Sequence, residues 1–207
     1  MGKGDQTRGT ILDAALDVAS TVGLEALSIG RLAERVGLSK SGLFAHFRSK
    51  EALQLEVLEH ARADFIQGVV APALGAPRGL PRLRALFDNW LAWGRGAPGR
   101  EGGCVFLQAA AEYDDRPGEV RACLAASQRD WTGALERAAQ QSVDEGHLAA
   151  GTDARQLAFE LYGLMMSCHF HTRLLDEACA ADRAVAGFER LLASHAAPFD
   201  PLAEERP

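Results

Sequence analysis

Helical periodicity is the feature of this sequence that most restricts its fold. Apolar residues recur every three to four positions along almost the whole chain, and the strict apolar–polar alternation of a half-buried strand is nearly absent. Of the 207 residues, 47% are hydrophobic, which is enough to bury a sizeable core. The pattern therefore predicts an all-α protein of about nine helices.

Local start and stop signals divide the first 72 residues into four helices. The first is expected over about 6–22, and three serines suited to N-capping precede the next three helices: Ser28, Ser39 and Ser49. Gly37 stands where a helix often ends in the left-handed conformation, and we expect Leu38 to fill the turn that follows. The fourth helix is long and is expected to end near Pro72.

Five further helices are expected after a loop at 72–79, over about 80–94, 104–113, 117–146, 154–175 and 179–196. A glycine-rich break at 94–103 separates the first two of them. Asp153, with Gln156 three residues later, forms a capping-box pattern at the start of the helix over 154–175.

The helix over 154–175 is apolar on two sides. One face carries Leu157, Leu161, Leu164, Met165 and Cys168, and the other carries Phe159, Tyr162, Met166 and Phe170. A helix with two apolar faces must be covered on both. We expect a homodimer in which the last two helices of each subunit form a four-helix interface. A monomer in which this helix lies at the centre of the core is the alternative.

Charge is distributed unevenly along the chain. Residues 1–50 contain seven Lys and Arg against five Asp and Glu, giving +2, while the remainder contains 15 against 23, giving −8 and a total of −6. A basic N-terminal part on an acidic body suggests that one end meets a polyanion. With neither a signal-peptide pattern nor an apolar run long enough to span a bilayer, a cytoplasmic protein without membrane contact is expected.

The cysteines and histidines do not form a recognisable metal motif. The four cysteines are widely spaced and contain no C-x-x-C, so neither a zinc site nor a disulfide framework is indicated: Cys104, Cys123, Cys168 and Cys179. Cys168 and His171 lie one turn apart, but two ligands do not complete a zinc site. No metal and no cofactor are therefore predicted.

The segment 27–47 has the pattern of a helix-turn-helix unit. Two short helices are joined by a tight turn that begins at Gly37, and their apolar positions can pack the pair against the first and fourth helices. The second helix of the pair begins with small or hydrogen-bonding residues: Ser39, Lys40, Ser41 and Gly42. Such residues can approach a phosphate or a base edge closely.

Over residues 8 to about 55 the sequence resembles the TetR family. Three motifs carry the resemblance: Arg8-x-x-Ile11-Leu12-Asp13-Ala14-Ala15, then Ser28-(x)3-Leu32-Ala33-(x)3-Gly37-Leu38-Ser39, then Gly42-Leu43-Phe44-x-His46-Phe47-x-x-Lys50-Glu51-Ala52-Leu53. Beyond residue 60 the similarity is in layout. The resemblance implies a three-helix DNA-binding domain at 1–50, a connecting helix at 50–72, and a C-terminal effector-binding and dimerisation domain at 73–207.

By the same resemblance, Ser28 and Lys50 would hold phosphates. His46 would add a phosphate contact, or else it is a packing residue at the end of its helix. The residues expected to face the major groove are Ser39, Lys40, Ser41, Gly42, Leu43 and Phe44. Two positions depart from the family pattern. Phe44 replaces the usual tyrosine and so lacks a hydroxyl donor, and Gly30 stands where many relatives present a longer side chain. Both changes reduce the expected readout of bases, which leaves more of the specificity to positioning and DNA shape.

The resemblance also implies a pocket for a small organic effector in the C-terminal domain. Aromatic and sulfur-bearing side chains there would form its apolar walls: Trp90, Trp93, Phe106, Trp131, Tyr162, Met165, Met166 and His169. Ordinary core packing is the alternative reading of these residues.

These observations favour a homodimeric DNA-binding transcriptional regulator, a repressor that a small-molecule effector releases from a palindromic operator. No enzyme is expected, because the sequence lacks the spacing of a nucleophile, a metal site or a phosphate-binding loop. The alternative is an all-α small-molecule carrier or a helical adaptor that does not bind DNA. That alternative leaves the segment 27–47 unexplained.

Overall fold

A computed structural model describes residues 3–95 and 102–197, with the side chains of residues 3–6 left aside. Within these ranges the chain forms nine helices and no β-strand, so the all-α prediction is confirmed. They are α1 (Lys3–Val22), α2 (Ile29–Val36), α3 (Lys40–His46), α4 (beginning at Lys50), α5 (Leu80–Gly94), α6 (Val105–Tyr113), α7 (Glu119–Asp144), α8 (Ala154–Arg173) and α9 (Ala180–Ser194). The predicted break at 94–103 falls largely outside the described residues.

Helix α4 continues past the expected stop at Pro72. It consists of an α-helical stretch Lys50–Phe65, a π-helical turn Ile66–Val70 and a last α-helical stretch Ala71–Leu74. In a regular α-helix the proline ring clashes with the carbonyl four residues earlier. The wider turn avoids this arrangement, because the N–H of Ala71 donates five residues back to Ile66. The helix thus ends at Leu74, two residues beyond the expected position near Pro72, and the loop expected at 72–79 is accordingly shorter.

The described residues divide into two compact units. The first comprises, of the described residues, 3–71, 91–95 and 102–130. Its core joins α1 to α4 with α6 and the first part of α7, and the side chains with at most 2% exposure include Ile11, Leu24, Leu27, Leu32, Leu43, Phe47, Leu53, Val57, Leu58 and Ala109. The buried faces of the short helices α2 and α3 pack against this core.

The local signals around α2, α3 and α4 work as expected. The side chains of Ser28, Ser39 and Ser49 each accept a backbone N–H from the residue three positions on. Gly37 is left-handed, with φ of +68°. The expectation for Leu38 was wrong, because its side chain is 39% exposed and does not fill the turn. The turn is closed by a backbone hydrogen bond of 3.0 Å from the Leu38 N–H to the Ala33 carbonyl.

The second unit comprises, of the described residues, 72–90 and 131–197. Here α8 packs closely on α9, and a Cβ added at Gly187 would lie 2.8 Å from a methyl carbon of Leu164. The rings of Phe87 and Phe188 are 4.3 Å apart between centroids. Asp153 caps α8 by accepting the N–H groups of Arg155 and Gln156.

Helix α8 shows the two faces that its sequence predicts. The first is buried, but on the second Phe159 is 75% exposed, Met166 45% and Phe170 51%. Tyr162 of the same face is half-buried. Among the described residues, therefore, most of this second face is left uncovered, and α8 is not a core helix enclosed on both sides. No helix of the described residues is both long and apolar enough to traverse a membrane.

Candidate nucleic-acid interface

The first turn of α3 forms an exposed polar surface. Ser39, Lys40, Ser41 and Gly42 all lie on the outside of the first unit, and Phe44 is 55% exposed next to them. The Ser39 hydroxyl oxygen caps Gly42 at 3.0 Å and lies 3.2 Å from the hydroxyl oxygen of Ser41. A capping serine uses its oxygen as an acceptor, and the Ser39–Ser41 contact uses one hydroxyl proton, so one proton of the pair remains available to a phosphate oxygen.

Leu43 differs from its neighbours on α3 because its side chain is fully buried. It packs into the core with Leu32 and Phe47 and thereby fixes the orientation of α3. Only the backbone of Leu43 remains for a contact to DNA. The helical period explains this placement, since Leu43 and Phe47 are four residues apart and so lie on the same, inward side of the chain.

Gly30 allows the side chain of Lys40 to lie across α2. A Cβ built at Gly30 would be 3.3 Å from Cε of Lys40, the flexible end of an exposed side chain. Because position 30 has no side chain, the ammonium of Lys40 lies at this part of the surface, where a longer side chain could otherwise contact a base.

Arg8 ties together three elements of this unit, a role that the sequence did not reveal. Its guanidinium donates to both carboxylate oxygens of Glu56 on α4, at 2.5 and 2.7 Å. It also donates to the carbonyl of His46 at 3.1 Å and lies 4.9 Å from the ring centroid of Phe47. The end of α3 is thus attached to α1 and α4. The His46 side chain is half-buried at this junction.

Lys50 is exposed at the start of α4 but is not without a partner. Its ammonium lies 2.9 Å from a carboxylate oxygen of Glu25, and the Tyr113 hydroxyl donates to the other oxygen at 2.8 Å. These two hydrogen bonds, that of Lys50 foremost, lower the pKa of Glu25. Burial, followed by the neighbouring carboxylate of Glu25, raises the pKa of Tyr113 well above its usual value. Glu25 is therefore an anion and Tyr113 a neutral donor near neutral pH.

The eight residues proposed to contact an effector are distributed over both units. Trp93 and Phe106 belong to the first unit, and the other six belong to the second. Trp90, Phe106, Trp131 and Met165 are buried, Trp93, Tyr162 and His169 are half-buried, and Met166 is exposed. Burial lowers the pKa of His169, with a smaller contribution from Arg173. The role of these residues stays a prediction.

Two open cavities are found inside the individual units, and neither contains any of those eight residues. One, of about 290 Å³, lies in the first unit and is lined by Glu25, Lys50, Gln54, Tyr113, Arg116 and Arg121, among others. The other, of about 230 Å³, lies between α8 and α9 and includes Ser167, Cys168, His171 and Arg183.

A second group that the sequence did not reveal lies between α1 and α4. Asp13, His60 and Asp64 each bring one possible metal-ligand atom within 4.8 Å of the others. The His60 Nε2 and an Asp13 oxygen are 2.8 Å apart, which is a hydrogen-bond distance. The hydrogen bond between His60 and Asp13 therefore accounts for the close approach of these side chains as a polar contact between the packed helices α1 and α4.

Two family models match the chain. The model for the bacterial regulatory proteins of the tetR family matches residues 11–57, and the model for the tetracyclin repressor-like C-terminal domain matches residues 79–188. The second match alone covers just over half of the chain. Together they contain α2, α3, most of α1 and the helices from α5 to α8.

Curated relatives match less than half of the chain. The HTH-type transcriptional activator FasR of Mycolicibacterium smegmatis is 36% identical over 84 residues, which are 41% of this chain and 38% of FasR. The class A tetracycline repressor protein from transposon 1721, of Escherichia coli, is 44% identical over 52 residues, 25% of this chain and 24% of that protein. The chain therefore matches well under half the length of these relatives.

Solved structures match almost the whole chain at low identity. A TetR transcriptional regulator from Chloroflexus aurantiacus has a TM-score of 0.86 at 23% identity, with 96% of this chain and 100% of that chain covered. AibR, solved in complex with isovaleryl coenzyme A and operator DNA, has a TM-score of 0.70 at 22% identity, with 92% and 98% covered. At these identities the likeness shows a shared fold.

Proposed function

Because the chain belongs to the TetR family of bacterial regulatory proteins, we propose that it is a homodimeric repressor that leaves its operator when a small organic effector binds. Residues 1–50 would read DNA, α4 would connect, and residues 73–207 would bind the effector and form the dimer. Members of the family are DNA-binding transcriptional regulators.

The exposed first turn of α3 is the observation that carries the DNA-binding part of the proposal. Ser39, Lys40, Ser41 and Gly42 would enter the major groove, while Ser28 and Lys50 would contact phosphates on either side. The buried Leu43 holds this surface in place. In a two-fold dimer the two copies of α3 would read half-sites roughly 34–36 Å apart, which makes a palindromic operator the expected target.

The uncovered face of α8 supports the dimer. Phe159, Met166 and Phe170 are large apolar side chains that water reaches in a single subunit. A second copy of α8 and α9 would bury them and complete a four-helix interface. AibR carries both an acyl coenzyme A and operator DNA in its structure. An organic effector of this chain would act by binding one spacing of the two reading surfaces better than another.

A binding selection tests the DNA-binding part directly. Full-length protein is incubated with fragmented genomic DNA at about 0.15 M salt, where non-specific phosphate binding is weakened, and the retained fragments are sequenced. We expect enrichment of a palindromic site, strongly reduced for the Lys40→Ala, Lys50→Ala double variant. The matched control, Arg137→Ala with Arg155→Ala, removes the same charge from exposed positions far along the chain and should retain the site.

Absence of any enriched fragment, with a wild-type protein that is folded and dimeric, would overturn the proposal in favour of a carrier or an adaptor. Equal loss of binding in both double variants would show that overall charge, rather than α3 and the start of α4, determines retention.

A further inference from the structure

A polar network holds Lys50 at one end and the last turn of α6 at the other. We propose that Glu25 competes with DNA phosphate for Lys50, and that Tyr113 is the positioning residue that keeps Glu25 in place for this competition. The inference rests on the proposed function, because it concerns how the same DNA-binding surface is regulated.

The competition follows from the contact that Lys50 makes. Its ammonium is 2.9 Å from Glu25, and the two side chains are 43% and 45% exposed. A lysine that contacts a phosphate must give up this pair or share its charge between two anions. Since exposed ion pairs shift equilibria only modestly, the pair weakens DNA binding without preventing it.

Glu25 is held from several sides by α6 and the turn after it. The Tyr113 hydroxyl donates to one carboxylate oxygen at 2.8 Å, and an Arg116 nitrogen is 3.6 Å from the same oxygen. The backbone N–H of Glu25 donates to Glu112 at 2.9 Å. At Gly23 an added Cβ would lie 1.9 Å from an oxygen of Glu112, so α6 approaches the backbone of this loop closely.

Tyr113 is itself fixed by a buried amide. Gln54 is only 4% exposed, and its side-chain N–H₂ donates to the Tyr113 hydroxyl at 2.8 Å and to the Leu24 carbonyl at 2.9 Å. The hydroxyl oxygen of Tyr113 accepts from Gln54, so its one proton is free to be donated to Glu25. The direction of this hydrogen bond is set by the buried amide, which cannot accept through its nitrogen.

The network joins the two segments that the family models separate. Glu25 and Lys50 belong to the matched DNA-binding segment 11–57, and Tyr113 and Arg116 belong to the matched C-terminal segment 79–188. A displacement of the last turn of α6 would change how firmly Glu25 holds Lys50. The cavity of about 290 Å³ that these residues line leaves room for the lysine side chain to exchange partners.

Binding of an operator-containing fragment tests the competition. We expect Glu25→Gln to tighten DNA binding by about two- to fivefold at moderate salt, the range that an exposed ion pair can account for. In a Lys50→Ala background the same substitution should have no effect beyond that of Glu34→Gln, an exposed α2 residue whose change removes an equal charge. Thermal melting of each variant confirms that it is folded.

The outcomes separate the two proposals. If the wild type binds no DNA, the proposed function fails. If the wild type binds but Glu25→Gln acts no more strongly than Glu34→Gln, or acts equally with and without Lys50, the competition is wrong while the regulator stands.

The positioning role of Tyr113 has a test that needs no DNA. The chain has three lysines, Lys3, Lys40 and Lys50, so ¹³C-methylation of lysine amines gives few NMR signals, which substitution of each lysine assigns. We expect Glu25→Gln and Tyr113→Phe each to shift the Lys50 signal, and Tyr113→Phe to add nothing once Glu25 is Gln. A shift by Tyr113→Phe that persists in the Glu25→Gln protein would show that Tyr113 acts on Lys50 by another route.

Discussion

At the scale of single residues, two glycines of the helix-turn-helix segment differ in whether their backbone conformation requires glycine. Gly37 has a φ of +68°, a conformation that costs any residue with a Cβ, although nothing lies within 4 Å of the position where that Cβ would stand. Gly30 lies inside α2 with helical geometry, where glycine is unfavourable, and faces only the flexible end of Lys40.

The same substitution should therefore change stability in opposite directions at these two sites. We expect Gly37→Ala to lower the free energy of unfolding by about 1 kcal/mol through backbone strain, and Gly30→Ala to raise it by about 0.5–1 kcal/mol through helix propensity. Urea denaturation of both variants measures the difference. Equal effects of one sign would show that the local backbone does not determine stability here.

His169 gives a prediction about pH. Burial, and secondarily Arg173, lowers its pKa below the ordinary value, so the unfolded chain takes up this proton more readily than the folded chain as pH falls. As the pH falls below about 6.5, the unfolded state is therefore stabilised relative to the folded state, and the free energy of unfolding decreases. We expect His169→Gln to make the free energy of unfolding fall less than in the wild type between about pH 7.5 and about pH 5.5.

Chemical denaturation across that pH range measures the effect. Arg173→Ala should reduce the loss of unfolding free energy at low pH by a smaller amount, because the charge of Arg173 is the lesser cause of the lowered His169 pKa. Curves for the wild type and His169→Gln that remain parallel over the range would contradict the assignment.

At the scale of elements, α3 and α4 begin with the same kind of cap but serve different purposes. The hydroxyls of Ser39 and Ser49 each accept a backbone N–H at 3.0 Å. We expect Ser39→Ala and Ser49→Ala each to cost about 1 kcal/mol of stability, measured by denaturation. Only Ser39→Ala should also weaken operator binding beyond what the lost stability explains, since Ser39 lies on the proposed reading surface. Equal effects of the two changes on binding would remove Ser39 from that surface.

The elements also show what can be predicted from sequence. Caps and the left-handed Gly37 depend on residues within four positions of one another, so the bounds of α2 and α3 could be predicted closely. The continuation of α4 past Pro72 could not, because proline alone indicates a stop and the π-helical turn is a compensation made by the backbone. The contacts of Arg8 and Lys50 join residues 25 to 48 positions apart, and only the packed core brings these together.

At the scale of the whole molecule, the exposed face of α8 is the feature on which the proposed dimer depends. We expect the double substitution Phe159→Ser, Phe170→Ser to convert a dimer into a folded monomer, because both side chains are more than half exposed in the subunit and contribute little to its own core. Sedimentation at micromolar concentration, with circular dichroism as a check of folding, measures this.

The matched control replaces another exposed apolar side chain, Leu74, which is 58% exposed at the end of α4. Leu74→Ser should leave the dimer intact. A wild-type protein that sediments as a monomer would contradict both the interface and the palindromic operator.

The hydrogen bonds of the Arg8 guanidinium link two helices of the first unit, α3 and α4. The guanidinium fastens the end of α3 to α4 through Glu56 and the His46 carbonyl, so α3 would travel with α4 as one arm. The regular stretch of α4 has 16 residues and is about 24 Å long, so a tilt of about 10° at one end displaces the other by about 4 Å. In the proposed dimer, two such arms, one per subunit, would need only a small change of angle to lose the spacing that matches successive turns of the double helix.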